Sequence, residues 1–301
     1  MSSYEQTLRL FERWCDEEED IKEPTEVREA IIRKYICNLQ ERGKYTFCSN
    51  DVMKNSNFPE RRKDYRSQIS VTTINNYIRN LKAFFTWFSY ETNSRNPMER
   101  VKQLQNERVA REYLSDEEIT KLCRNFDLSY FSEMRDYTII MLILDTGVRL
   151  GECLSIEIED VDLIERTIIL HADNTKGRKT RCVFFSFKMM RILQKWLRFK
   201  DRYSESQLLF HVKGGTPLSV GSFESNMRKY LIRAGISKNY SPHSLRNNFA
   251  KRALMLGMDT FTLSRILGHS SVVVTEKAYL DLTDSDLRKR YQNFSPLENL
   301  K

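Results

Sequence analysis

Residues 136–144, DYTIIMLIL, limit the possible folds more than any other stretch of the chain. The run is apolar on nearly all sides, and a helix of that kind forms the buried centre of a domain. It terminates at Asp145-Thr146-Gly147, and Arg149 follows at once. A guanidinium rising from the end of the most buried helix is pre-organised for bidentate binding of an oxyanion. Leu150 and Leu154 anchor the next helix. Glu152, one turn on, is placed either to orient Arg149 or to form an ordinary structural salt bridge.

A second stretch, residues 241–280, is as tightly punctuated. Ser241 is a helix cap, and Pro242 suits the first helical position, where its missing N–H costs nothing. His243 and Arg246 fall three apart and so share a helical face, while Leu245, Phe249 and Leu256 turn inward. A short helix over residues 261–267 ends at Gly268, a residue suited to the position past a helix C-terminus. His269 is thereby held by backbone geometry. Tyr279 lies on a third helical segment begun near Ser271 or Thr275. Two histidines, an arginine and a tyrosine on such helices are set to converge on one phosphate.

The remaining chain reads as two domains, residues 1–107 and 108–301, divided within a polar stretch over residues 93–111 that contains Pro97. Before it come amphipathic helices marked by Leu8, Phe11, Trp14 and Cys15, by Val27, Ile31, Ile32, Tyr35, Ile36 and Leu39, and by Ile74, Tyr77, Ile78, Leu81, Phe84, Phe85 and Phe88. Residues 45–70 form a long connection, either a solvated loop or an arm on a polyanion. Arg79 and Lys82 lie on the outer face of the third helix, where phosphates can meet them. After the linker, Ser115 and Glu118 form a capping box. Residues 167–170 and 181–185 are the strands of a hairpin joined by a mobile basic turn, and Ser186 caps the helix that follows.

Charge points to a polyanion partner. The net charge is +8; residues 1–107 hold 18 Lys+Arg against 17 Asp+Glu, so nearly all the excess lies in the second part. Residues 171–200 carry nine Lys+Arg and one acid, Asp173, making Arg178, Lys179 and Arg181 candidates for contact with a nucleic-acid backbone. The six cysteines are scattered without CxxC pairs or histidines at metal-ligand spacing, which reads as buried reduced thiols with no metal site. No apolar run is long enough to span a membrane and the N-terminus lacks a signal region, so a cytoplasmic protein is expected.

Taken in order, TGVRLGE, the hairpin NTKGRKTRCVFF, HSLR, LGHSS and Tyr279 resemble the tyrosine recombinases, the phage integrase family. The resemblance covers residues 114–284 well, and the first domain more loosely resembles the helical core-binding (SAM-like) domain that precedes the catalytic one. It implies a mainly α fold with a mixed α/β catalytic domain holding a small antiparallel sheet. It also implies a site-specific recombinase that cleaves and rejoins duplex DNA through a 3′-phosphotyrosyl intermediate and a Holliday junction. Arg149 and Arg246 would bind the non-bridging oxygens, Tyr279 would attack phosphorus, and Lys176 would protonate the leaving 5′-oxygen. His243 would assist proton transfer and His269 would hydrogen-bond the phosphate, with no metal or cofactor required. Lys179 rivals Lys176 on the same turn, and Tyr291 rivals Tyr279.

Further implications are a tetramer on DNA with C-terminal tails exchanged between protomers, a place in mobile-element biology, and association with the nucleoid. A tail docked on its own domain fits the same residues. Asn247 departs from the His found in many members, and no arm-binding domain precedes the first, which suggests a short recombination site. A non-catalytic DNA-binding regulator of the same fold and a type IB topoisomerase-like enzyme are the alternatives.

Overall fold

The structure is a computed structural model that describes residues 3–49, 58–106, 113–174, 179–238, 240–269, 271, 284–286, 288 and 291. The chain divides into two compact units, Met1–Val109 and Ala110–Lys301. Each is built around its own apolar core.

In the first unit, α1 (Ser3–Glu19) and α2 (Glu29–Glu41) pack on the long α3 (Val71–Thr92). Of the side chains spaced for one helical face, Phe11, Trp14 and Cys15 from α1, Ile32, Tyr35 and Leu39 from α2, and Ile74, Ile78, Leu81 and Phe85 from α3 are buried, while Leu8, Ile31, Tyr77, Phe84 and Phe88 are half-buried at the core's edge. Phe11 sits at the junction, with its ring edge-on to Tyr35 at 4.9 Å and to Phe85 at 6.1 Å. Ser70 starts α3 by accepting from Thr73 N, and Asn93 ends it in the left-handed conformation with φ 52°. The acidic end of α1 faces solvent and Glu19 pairs with Lys34.

The second unit is assembled around α5 (Phe131–Thr146), where Ile139, Ile140, Leu142 and Ile143 are fully buried. With apolar side chains on all sides, this helix needs neighbours all round. They are α7 (Phe187–Lys200), α8 (Val220–Arg233) and α9 (Pro242–Met255). The shorter α4 (Asp116–Arg124), α6 (Leu150–Leu154) and α10 (Thr260–Leu267) complete the helical part. Ser115, Ser186 and Ser241 each accept the capping bond from the third residue of their helix. Trp196 of α7 is buried and donates its indole N–H to the Leu209 carbonyl at 2.8 Å.

The sheet has three antiparallel strands in the order β1 (Val161–Asp162), β2 (Thr167–Leu170) and β3 (Arg181–Phe184). Ile168 pairs with Val183 and Leu170 with Arg181. The two-residue β1 has no sequence signature of its own and exists through its pairing with Ile168 and Thr167. Mainly helical architecture with this small sheet is the fold class that the motifs implied.

Two local expectations are corrected. Leu256 is 89% exposed, because α9 stops at Met255 and the residue falls past the inward-facing turn. Cys37 and Cys182 are exposed, so the cysteines are not uniformly buried, although Cys15 and Cys153 are. The apolar α5 also opens on a buried ion pair. Arg135 reaches Asp136 at 2.7 Å, Tyr230 and Asn226 donate to the same carboxylate at 2.9 and 3.0 Å, and Arg135 also bonds the His211 carbonyl. Burial pushes the Asp136 carboxyl above its ordinary range despite these partners.

Most of the tail lies outside the described residues; of its described part, Asp286 pairs with Lys251 of α9 at 2.7 Å. Among the described residues no helix is long and apolar enough to cross a membrane.

The buried pair at the start of α5 sets a stability test. Arg135→Met removes the cation and leaves the Asp136 carboxylate buried with neutral donors only. Urea denaturation is expected to show a loss of about 3 kcal/mol, the usual cost of breaking one side of a buried pair. A loss within experimental error would mean that the pair contributes nothing to the fold.

Candidate active site

The last carbonyls of any helix lack intrahelical partners and carry partial negative charge. In α10 they are the meeting point of three arginines from distant parts of the second unit. Arg181 donates Nε to the Ile266 carbonyl at 3.3 Å, Arg246 donates Nη2 to Leu267 at 2.7 Å, and Arg149 donates Nη2 to Gly268 at 3.3 Å. Three consecutive carbonyls thus gather three cations. The helix is placed for this at both ends: Asp259 caps its start by accepting from Thr262 N at 2.9 Å, and Gly268 closes it with φ 62°. A Cβ on Gly268 would lie 2.8 Å from Arg181 Nε, so a side chain there would displace the guanidinium.

Arg149 occupies the cap position of α6, just after the glycine that ends α5. Gly147 adopts φ 67°, and a Cβ there would collide with the Phe249 ring. The Gly147 carbonyl accepts from Arg246 Nη1 at 2.5 Å. The turn that launches Arg149 is therefore pinned by Arg246. The guanidinium that sequence reading set at the end of the buried helix faces the same helix end as Arg246.

Glu152 completes the arrangement. Its carboxylate accepts from Arg149 Nη1 at 2.8 Å and from Arg149 backbone N at 3.0 Å, and from Arg181 Nη1 and Nη2 at 3.1 and 2.7 Å. Burial by itself pushes this carboxyl up, but the bonds and charge of Arg181 and Arg149 outweigh it and hold it below the ordinary range. Of the two readings of Glu152, the orienting one and the salt bridge describe the same contact.

Three guanidiniums against one carboxylate leave a strongly positive interior. Burial and the neighbouring charges of Arg149 and Arg181 pull the Arg246 guanidinium down to about 9. Arg246 is buried, whereas 28% of the Arg149 side chain is exposed, so Arg149 is the member that faces solvent. His269 follows Gly268, its backbone N–H bonded to the Ser264 carbonyl at 3.1 Å. Burial, then Arg246, Arg149, Arg181 and His243 in turn, push its ring down to about 4. The ring is therefore neutral near pH 7 and offers an N–H without adding charge. His243 is exposed on the first turn of α9 and lies near enough to His269 to act on it electrostatically. Such a set is suited chemically to an oxyanion and to charge that grows on it.

The structure thus brings together Arg149, Glu152, Arg246, His243 and His269. Lys176, Arg178 and Tyr279 lie outside the described residues. Lys179 is exposed. In the first unit Arg79 and Lys82 are exposed on α3 and line a groove with Trp87, Tyr90, Arg100 and Lys102. Arg181 is placed differently from its expected role at a nucleic-acid backbone: 12% of its side chain is exposed and its guanidinium is committed to Glu152. Strand alternation held the clue, since Arg181 shares a face with the buried Val183.

The histidine gives a test that needs no ligand. An NMR titration is expected to place the His269 midpoint near 4, against 6.5 for the ordinary ring. Between these values the unfolded chain binds more protons than the folded one, so stability falls as the pH drops through that window. A midpoint at or above 6.5 would contradict a buried ring set among cations.

The chain is similar to known proteins in sequence and in fold. Residues 112–286 match the family described as Phage integrase family. Tyrosine recombinase XerC of Bacillus subtilis (strain 168) is 28% identical over 239 residues, which span 77% of each chain. The crystal structure of XerA recombinase superposes with a TM-score of 0.55 at 26% identity, covering 97% of this chain and 90% of the other. That of the XerH site-specific recombinase bound to its palindromic difH substrate gives 0.64 at 19% identity, covering 93% and 75%, and shares the fold. The chain belongs to the phage integrase family, the tyrosine-type site-specific recombinases.

Proposed function

We propose that the chain cleaves and rejoins duplex DNA at a specific site through a 3′-phosphotyrosyl link to Tyr279. The observation that carries this reading is the convergence of Arg149 and Arg246 on adjacent carbonyls of one helix end, with the neutral His269 beside them. The scissile phosphate sits against the two guanidiniums, which bind its non-bridging oxygens. As the phenolic oxygen bonds to phosphorus, negative charge grows on those oxygens, and fixed cations stabilise it without reorganising. A tyrosine has a pKa of about 10 and is a weak nucleophile near neutrality, but surrounding guanidiniums favour its phenolate. His243 takes part in moving the tyrosine proton, His269 donates to a phosphate oxygen, and Lys176 protonates the 5′-oxygen as the P–O bond breaks. The covalent link conserves the ester, so a 5′-hydroxyl from a second duplex reverses the step and produces a Holliday junction.

In this reading residues 108–301 carry the chemistry and residues 1–107 act as the core-binding domain. Arg79 and Lys82 meet phosphates on the outer face of α3, and Lys179 and Arg178 do so from the basic turn. Recombination between two duplexes needs four protomers, with tails exchanged among them, on DNA in the nucleoid. The XerH complex with its difH substrate supports a DNA partner for a protein of this fold.

A duplex carrying a nick beside the candidate site traps the intermediate, because the short cleaved strand diffuses away. Wild-type protein is expected to give a covalent adduct on a denaturing gel and Tyr279→Phe none. Arg149→Ala is expected to slow adduct formation by about 10²–10³-fold, the effect of removing one oxyanion donor. Its duplex affinity changes far less, since one charge among many phosphate contacts is lost. An adduct that persists in Tyr279→Phe would move the nucleophile elsewhere, and binding without any adduct would make the protein a DNA-binding regulator.

A further inference from the structure

Arg181 opens β3, five positions after Lys176, yet its guanidinium points inward. Both Nη atoms bond the Glu152 carboxylate, Nε bonds the Ile266 carbonyl, and the flat face of the group lies against Gly268. It therefore ties together three separate elements: the first residue of β3, the first turn of α6 and the last turn of α10. Glu152 passes the constraint on, through its bonds to the side chain and backbone of Arg149. Taken alone, an Arg149–Glu152 pair on a five-residue helix retains the rotamer freedom of both side chains. The bidentate Arg181 fork on the same carboxylate fixes both oxygens, so that with the Gly268 carbonyl it limits where Arg149 can face.

We propose that Arg181 is a positioning residue for strand cleavage: it holds the Glu152 carboxylate, and through it the Arg149 guanidinium, and fastens the start of β3 to the arginine cage. The inference rests on the recombinase reading above. Arg181 touches neither DNA nor the tyrosine in this role; it sets where the oxyanion ligand stands. A lysine in its place supplies the charge but reaches only part of the carboxylate.

The test is single-turnover cleavage of the nicked duplex by the full chain at saturating DNA, with duplex Kd from fluorescence anisotropy and Tm recorded for each variant. Arg181→Met is expected to slow adduct formation by about 10²-fold, the cost of misplacing a reacting group by about 1 Å. Its Kd should shift by less than about threefold, because no phosphate contact is lost. Arg181→Lys should recover part of the rate but remain slower than wild type. Combining Arg181→Met with Glu152→Gln should be no slower than the slower single variant, because both act on one coupling.

Multiplicative losses in the double variant would overturn the proposal. So would a wild-type rate in Arg181→Met with weakened, salt-dependent binding, which would make Arg181 a phosphate contact. If Arg181→Met proves too unstable to assay, Arg181→Lys decides, and a full rate in it overturns the proposal. Wild-type protein separates the two levels of inference. No adduct from wild type refutes the recombinase reading and this role with it, whereas an adduct undiminished in Arg181→Met refutes this role alone.

Discussion

The carbonyl end of α10 is the point on which the second unit's chemistry depends. Three guanidiniums repel one another, and gathering them from residues 149, 181 and 246 requires compensating negative charge. Part comes from the carbonyls of Ile266, Leu267 and Gly268, whose partners would otherwise be water. The rest comes from Glu152, whose carboxylate is shared between Arg149 and Arg181. The excess of cations over anions is what an incoming phosphate would neutralise. In the proposed mechanism the oxyanion relieves that repulsion, most of all when its charge is growing.

That electrostatic cost requires a stable frame. The frame is α5, whose Ile139, Ile140, Leu142 and Ile143 are buried and whose Tyr137, Met141 and Leu144 are half-buried. Its C-terminal turn is held from outside by Arg246 on the Gly147 carbonyl, and its end is tied to the start of α7 by Asp145, which accepts from Ser186 N at 2.7 Å. Arg246 therefore has two jobs. It is a buried fastener between the α5 turn and α10, and it supplies half of the pair facing the phosphate in the proposed mechanism. Arg149 differs in being the exposed member, so the burial gradient from Arg246 to Arg149 runs from support to contact. Burial, reinforced by the same field, keeps the His269 ring neutral, which suits a hydrogen-bond donor set among cations.

What was legible in the sequence is what local chemistry decides. The all-apolar run became the central helix, Ser115, Ser186 and Ser241 became caps, Gly268 became a helix end, and the spacing in residues 74–85 became the buried face of α3. Contacts between distant residues were not legible. Arg149 and Gly268 are 119 positions apart, and nothing near either signals that a guanidinium will find that carbonyl. Arg181 sits in the densest basic segment, where composition suggests a solvent-facing cation, and only its alternation with Val183 hints otherwise. The ion pair of Arg135 with Asp136 has no local signature either, because the partners that make its burial tolerable, Tyr230 and Asn226, come from a distant helix. Strand β1 is too short to carry a pattern at all.

The most direct test of the arginine cage is a crystal structure of the full chain grown with orthovanadate, a phosphate mimic that readily becomes five-coordinate. The account requires the anion to lie within hydrogen-bonding reach of both Arg149 and Arg246, beside the His269 ring, with Arg181 still paired to Glu152. An anion bound elsewhere, or one that draws Arg181 away from Glu152 to contact it directly, would contradict it.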